Sequence, residues 1–175
     1  AKLRARLKAD DIKVSYTDIL VKLVAVALRE FPLLNCSVDG DNIIYKNYVN
    51  MGVAVALDNG LVVPNVRDAD KKGLREISAE VKELANLART GGLPMDRLSG
   101  GTFTISNVGM FPIDWSTPII NPPQVAIIGF GRSVKKMAVV DDQPAIRSMM
   151  NMFLTFDHRV FDGLEVGRIL SDLKE

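Results

Sequence analysis

Met51-Gly52-Val53-Ala54-Val55-Ala56-Leu57-Asp58-Asn59-Gly60-Leu61-Val62-Val63-Pro64-Asn65-Val66 is the stretch on which the fold turns. Met51 to Leu57 and Leu61 to Val66 are two β-rich runs, and Asp58-Asn59-Gly60 between them carries the residues that accept a tight reversal, so the segment reads as a hairpin. Upstream, Ser15-Tyr16-Thr17-Asp18 places an N-cap hydroxyl three residues before an acid. Ile19, Leu20, Leu23, Val24, Ala27 and Leu28 then fall on one helical face, which predicts a helix from about Tyr16 to Glu30. Pro32 ends it, and Asp39-Gly40-Asp41-Asn42 marks a turn into a short strand over Ile43 to Lys46. Downstream, Leu74, Ile77, Val81, Leu84 and Leu87 recur at spacings of three and four before the stop at Gly91-Gly92, which predicts a second amphipathic helix.

From Gly101 onward the pattern turns to β. Thr102 to Ser106, Gln124 to Phe130, Ser133 to Val139 and Pro144 to Phe156 read as strands, with a Pro-rich loop over Phe111 to Pro123 and a last helix after Asp162-Gly163. Helices set between strands and hairpins predict an α/β protein, a mixed β-sheet covered on one face by helices. The 175 residues read as one domain without repeats or low-complexity linkers, and the opening run Ala1 to Lys8 reads as the tail of a helix. A chain of this length buries about 70% of its unfolded surface.

Lys and Arg number 22 against 21 Asp and Glu, a formal charge of +1, so no global field draws the chain to nucleic acid or membrane. The apolar stretch around Ile19 to Leu28 is broken by Lys22 and falls short of the ~20 residues a bilayer needs. It reads as a core helix, and no charged-then-apolar leader precedes it. The single Cys36 has no internal disulfide partner, which fits a reducing compartment: the cytoplasm, or an organelle matrix in a eukaryote.

His158 is the only histidine, and it sits in Asp157-His158-Arg159-Val160-Phe161-Asp162-Gly163 between an apolar strand and a helix. Asp162 is close enough in sequence to orient the imidazole or to hold its own loop. A structural histidine before a capped helix fits these local residues equally well. Ser106, in Gly100-Gly101-Thr102-Phe103-Thr104-Ile105-Ser106-Asn107-Val108-Gly109, could donate to a developing oxyanion at a strand end, but taken alone Ser-Asn-x-Gly reads first as ordinary turn chemistry. Zinc hydrolysis, P-loop and dinucleotide motifs are missing, as is a Gly-x-Ser-x-Gly elbow. Cys36 reads as a small packed residue, and Met149, Met150 and Met152 as core.

Five ordered stretches resemble the catalytic cores of the dihydrolipoyl acyltransferases, the E2 components of 2-oxo acid dehydrogenase complexes. They are Phe31 to Asn35, Asp58 to Pro64, Gly100 to Gly109, Thr117 to Gln124 and Asp157 to Gly163. The resemblance spans nearly the whole chain, and it implies a fold like that of chloramphenicol acetyltransferase. It also implies acyl transfer between coenzyme A and a dihydrolipoyl arm on a separate domain, with no metal. By the same resemblance His158 is the general base, Ser106 the oxyanion donor and Asp162 the carboxylate that closes the motif. Arg4, Ser15, Asp58, Ser106, Asn107 and Gly131 fall where the family lines its coenzyme A channel. The implied partners are two further copies in a trimer or a trimer-built cage, where His158 and Ser106 meet across an interface, together with a lipoyl domain and, indirectly, the E1 and E3 components.

By the resemblance, residues 1–175 are expected to form a catalytic domain that does not include the family's lipoyl and subunit-binding domains or the first helix and strand of the core. Pro112 and Trp115 stand where many relatives carry glycine or smaller residues, which leaves the acyl group open. A chloramphenicol-type acetyltransferase usually has a second histidine where Asp157 stands. A non-catalytic scaffold like the E3-binding protein typically loses the histidine that this chain keeps. Acyl transfer is the preferred reading.

Overall fold

The computed structural model describes Arg4, Arg6, Leu7 and residues 13–174. Arg4, Arg6 and Leu7 are helical, and the rest of the expected opening helix lies outside the described residues. Helix α1 spans Tyr16–Glu30 as the capping pattern predicts. Asp18 N–H donates to Ser15 Oγ at 3.1 Å while Ser15 N–H donates to Asp18 Oδ2 at 2.7 Å, satisfying two otherwise orphaned donors. Leu20, Val21, Val24, Ala25 and Leu28 bury one face, the leucines and valines each stabilising the fold by about 1.5–3 kcal/mol where fully buried.

A short hairpin, β1 (Cys36–Asp39) with β2 (Asn42–Tyr45), turns through Gly40 at φ +58°. Strand β1 was not expected. The hairpin over 51–66 is present, but it is divided into β3 (Met51–Val53), β4 (Val55–Leu57), β5 (Gly60–Val62) and β6 (Asn65–Val66). Met51 pairs with Val66 and Val55 with Val62, so one register runs through both halves. Pro64 has no N–H to donate across the ladder. Its carbonyl instead accepts from Val53, while Ala54 turns its N–H to Ile105 O. That switch carries the hairpin from the main sheet into a separate ribbon.

Helix α2 (Leu74–Thr90) ends at Gly91, whose φ of +77° is the left-handed stop that its sequence signals. Next come β7 (Phe103–Asn107), β8 (Ala126–Phe130), β9 (Val134–Val140), β10 (Gln143–Met149), β11 (Met152–Phe156) and α3 (Gly163–Lys174). The expected continuous strand over Pro144 to Phe156 is broken at Met150-Asn151. Strand β10 folds back on β9 through Asp141 and Asp142, both at positive φ, and β11 joins the main sheet. The methionine cluster divides with it: Met150 and Met152 pack against the core, but Met149 is 45% exposed.

The main sheet has the order β11-β8-β7-β3-β6. Strands β8, β7 and β3 run parallel, and antiparallel strands lie on both edges, so the sheet is mixed. Helix α1 touches both α2 and α3. Phe103, Ile105, Ile128 and Phe130 join the apolar cluster formed with the helices. By the two-residue alternation of strands, Gly52, Thr104, Ser106 and Gly129 face the other way. Among the described residues no helix is long and apolar enough to cross a membrane.

Candidate active site

Ser106 and Asn107 end β7, where Ser106 pairs with Gly129 and Asn107 with Phe130. Ser106 is half-buried on the sheet face away from the helices. Asn107 is fixed on both sides of its amide: Nδ2 donates to Thr17 Oγ1 at 2.9 Å, and Oδ1 accepts from Gly109 N–H at 2.9 Å. A Cβ on Gly109 would lie 2.8 Å from Gly131 O, and one on Gly131 would lie 2.1 Å from Asp114 O. Glycine is required at both positions by close approach of backbone.

The loop beyond Gly109 is pinned at Asp114. Arg132 donates from Nε and Nη2 to the two carboxylate oxygens at 2.8 and 3.1 Å, Arg132 N–H donates to Ile113 O, and Asn151 Nδ2 donates to Asp114 O. The Arg132 guanidinium holds the Asp114 carboxyl below its ordinary range. Around this anchor Pro112 is exposed, and the Trp115 side chain is 69% exposed.

A cavity of about 340 Å³ lies between the start of α1, β3–β4, α2 and the end of β7, bordered by Ser15, Thr17, Ala56, Lys82, Arg89 and Asn107. A second cavity of about 370 Å³ shares Ala56 and Arg89 with it and reaches Asp58 and Gly91. Each is large enough to take part of a small ligand. Three of the six residues expected along a coenzyme A channel therefore border neighbouring cavities, Ser15 and Asn107 the first and Asp58 the second. Ser106 is the chain neighbour of Asn107. Arg4 instead donates from Nε to Val14 O at 3.0 Å, and its guanidinium lies 4.4 Å over the Tyr16 ring. Gly131 supports the loop from behind and is not on the groove wall. The cavity of about 420 Å³ at Tyr48, Asn50 and Arg67 contains none of the expected residues.

His158 lies in the turn that follows β11, exposed, with its ring 5.3 Å from that of Phe156. Phe156 in turn stacks on Phe161. Asp157 is clamped by Arg159, which donates from Nε and Nη2, and this contact lowers the carboxyl pKa. Asp162 caps α3 by accepting from Leu164 N–H at 2.8 Å. That N–H, and after it a contact with the Glu165 side chain, holds the Asp162 carboxyl below its ordinary range. No hydrogen bond joins Asp162 to the imidazole among the described residues. In this structure Asp162 caps the helix that follows the His158 turn.

The structure does not bring Ser106 and His158 together within one chain. Extending the β11–β8–β7 register past Phe156 puts His158 level with position 101. The two residues are then two strands and about five residues apart, or about 19 Å.

The family model described as 2-oxoacid dehydrogenases acyltransferase (catalytic domain) matches residues 1–175. The chain belongs to that family. It is 47% identical to the dihydrolipoyllysine-residue succinyltransferase component of the 2-oxoglutarate dehydrogenase complex of Bartonella vinsonii subsp. berkhoffii. The match covers 96% of this chain and 41% of that relative, so the chain spans about two fifths of its length. It is 36% identical, with TM-score 0.90, to the dihydrolipoamide acetyltransferase of Azotobacter vinelandii, in which a serine, a histidine and an asparagine were investigated for their role in the catalytic mechanism. That match covers 97% of this chain and 71% of the other. The cubic core of a pyruvate dehydrogenase multienzyme complex gives the same identity, coverage and TM-score. A chloramphenicol acetyltransferase, 14% identical with TM-score 0.57, shares the fold.

Two groove residues of this acyltransferase-family chain escape sequence reading. Lys82 and Arg89 look like ordinary charges on the wet side of an amphipathic helix. Their seven-residue spacing, two turns on one face, was the available signal.

Proposed function

We propose that this domain transfers an acyl group between coenzyme A and the dihydrolipoyl arm of a 2-oxo acid dehydrogenase complex, working as a trimer or a trimer-built cage. The observation that carries the reading is a shared spacing. Ser106 and His158 are 52 residues apart, as are the serine and histidine probed in the Azotobacter acetyltransferase, and Asp162 follows His158 by four, as the asparagine does there. The neighbouring cavities at Ser15 and Asn107 and at Asp58 support coenzyme A as one substrate.

In this mechanism His158 takes the proton of the attacking thiol, whose ordinary pKa of about 8.5 keeps it mostly protonated at neutral pH. The sulfur adds to the acyl thioester carbonyl, and Ser106 donates a hydrogen bond to the oxyanion that forms, a contact worth about 2.7–4 kcal/mol in the transition state. Collapse of the adduct expels the second sulfur, to which His158 returns the proton. Because the strand register sets the backbone positions of the two residues about 19 Å apart in one chain, the Ser106 of one copy serves the His158 of the next. Asp162 keeps the His158 loop in place by capping α3.

Acyl transfer from acetyl- or succinyl-coenzyme A to dihydrolipoamide is the direct assay. Wild-type turnover, lost by about 10²–10⁴ in a folded and assembled His158→Ala variant, is the expected result. Binding of coenzyme A without turnover would favour a scaffold instead.

A further inference from the structure

The row of residues that crosses the main sheet at Ser106 holds a side chain that nothing above assigns. Ser106 on β7 is level with Gly129 on β8, and Gly129 is level with Phe153 on β11. Register partners project to one side of a sheet, so Phe153 stands on the Ser106 face, away from the helices. The alternation along β11 agrees, since Met152 and Leu154, on either side of Phe153, pack against the core cluster from the opposite face. Gly129 has no side chain, and the Phe153 ring fills the space above it: a Cβ on Gly129 would fall against the ring atoms Cδ2, Cε2 and Cζ. The ring thus reaches across one strand spacing, about 4.8 Å, and lies about one more spacing from the Ser106 side chain.

The other directions around Ser106 are taken. Thr104, two residues earlier on the same face, is buried and donates to Gln124 Oε1 at 2.6 Å. Ile127, two residues before Gly129, is buried as well. Two residues after Gly129, Asp114 O lies where a Cβ on Gly131 would be. On the β3 side, Ala54 and Asn107 line the cavity that supports coenzyme A. The side over Gly129 is left, and its wall is an aromatic ring with no charge and no hydrogen-bonding group. A carbonyl whose oxygen accepts from the Ser106 hydroxyl therefore has that ring beside it, close enough to touch the next carbon or two of its chain.

Resting on the acyltransferase reading, we propose that Phe153 is a specificity-determining residue that limits the size of the transferred acyl group. The thioester carbonyl turns its oxygen to Ser106, and its acyl chain ends against the Phe153 ring. An acetyl methyl fits between the two, whereas a longer chain runs into the ring. Gly129 is part of the device, because any side chain there would displace the ring from its seat.

The test compares acetyl- and butyryl-coenzyme A as donors to dihydrolipoamide on the assembled full-length protein. The two donors share the nucleotide, the pantetheine arm and the thioester, and differ only in the length of an apolar acyl chain. Wild type should favour acetyl by at least about tenfold in kcat/KM. Phe153→Ala, which removes the wall, should raise the butyryl-to-acetyl ratio of kcat/KM by about tenfold or more. Phe153→Leu, which keeps β11 apolar, should move the ratio the same way by less, and it carries the test if the alanine variant does not fold. A general loss of structure would slow both donors alike and leave the ratio where it was. Equal use of the two donors by the wild type, or an unchanged ratio in the folded variants, overturns the assignment and leaves the acyltransferase reading standing. Absence of transfer by the wild type from both donors overturns that reading and this inference with it.

Discussion

The Nδ2 of Asn107 donates to Thr17 Oγ1 at 2.9 Å, so the residue after Ser106 is tied to the first turn of α1 across 90 positions of sequence. The same side chain accepts from Gly109 N–H through its other end and fixes the turn beyond the strand. Asn107→Ala and Thr17→Val should each lower stability by about 1 kcal/mol, and the double variant by less than the sum, because the two remove one shared bond. Chemical denaturation of the four proteins measures this. Additive losses would mean that the contact contributes nothing.

Asp114 and Asp157 both have carboxyl pKa values lowered by an arginine partner, Arg132 and Arg159 respectively. A carboxyl depressed in the folded state adds stability above its unfolded pKa of about 3.9 and loses that contribution as pH falls through the folded value. Both anchors should therefore hold from neutral pH down to about pH 4 and release only below it. Trp115 is the only tryptophan and follows Asp114 directly, so its fluorescence anisotropy reports the loop. Anisotropy should stay flat between pH 7 and 5 and fall at lower pH. Asp114→Asn should lower it already at pH 7.

Cys36 is 1% exposed, its Sγ–H points to Leu33 O at 3.0 Å, and burial pushes its thiol pKa up. The protonated, enclosed thiol should react with an aromatic disulfide reagent only as fast as the protein opens. Adding denaturant should restore the rate of a free thiol. Fast labelling of the native protein would contradict the enclosure of the Cys36 thiol at the Leu33 carbonyl.

Helix α1 was legible because capping is local: Ser15 and Asp18 satisfy each other's backbone whatever else the chain does. The hairpin over 51–66 was legible for the same reason, but its division at Ala54 was not, since Ala54 bonds to Ile105, far along the chain. Strand β1 escaped because Cys36 to Asp39 is short and shows no alternation, both Cys36 and Ser37 being buried. The continuous apolar run from Pro144 to Phe156 hid the break at Met150-Asn151. At the site, His158, Ser106 and Asp162 could be named from motif resemblance, whereas Lys82 and Arg89 reach the cavity walls only when α2 packs beside β4 and the start of α1. The cap formed by Asp162 on Leu164 is a geometric detail that only coordinates could show.

Mixing two inactive variants tests the central claim most directly. Ser106→Ala and His158→Ala chains, each folded and each slow, would be unfolded together and reassembled in equal amounts. If Ser106 of one copy serves His158 of the next, random assembly in a closed ring leaves about one site in four with both side chains intact. Turnover should then return to about a quarter of wild type, far above either variant alone. Mixed oligomers, verified by mass, that show only the average of the two variants' activities would contradict a site shared between copies.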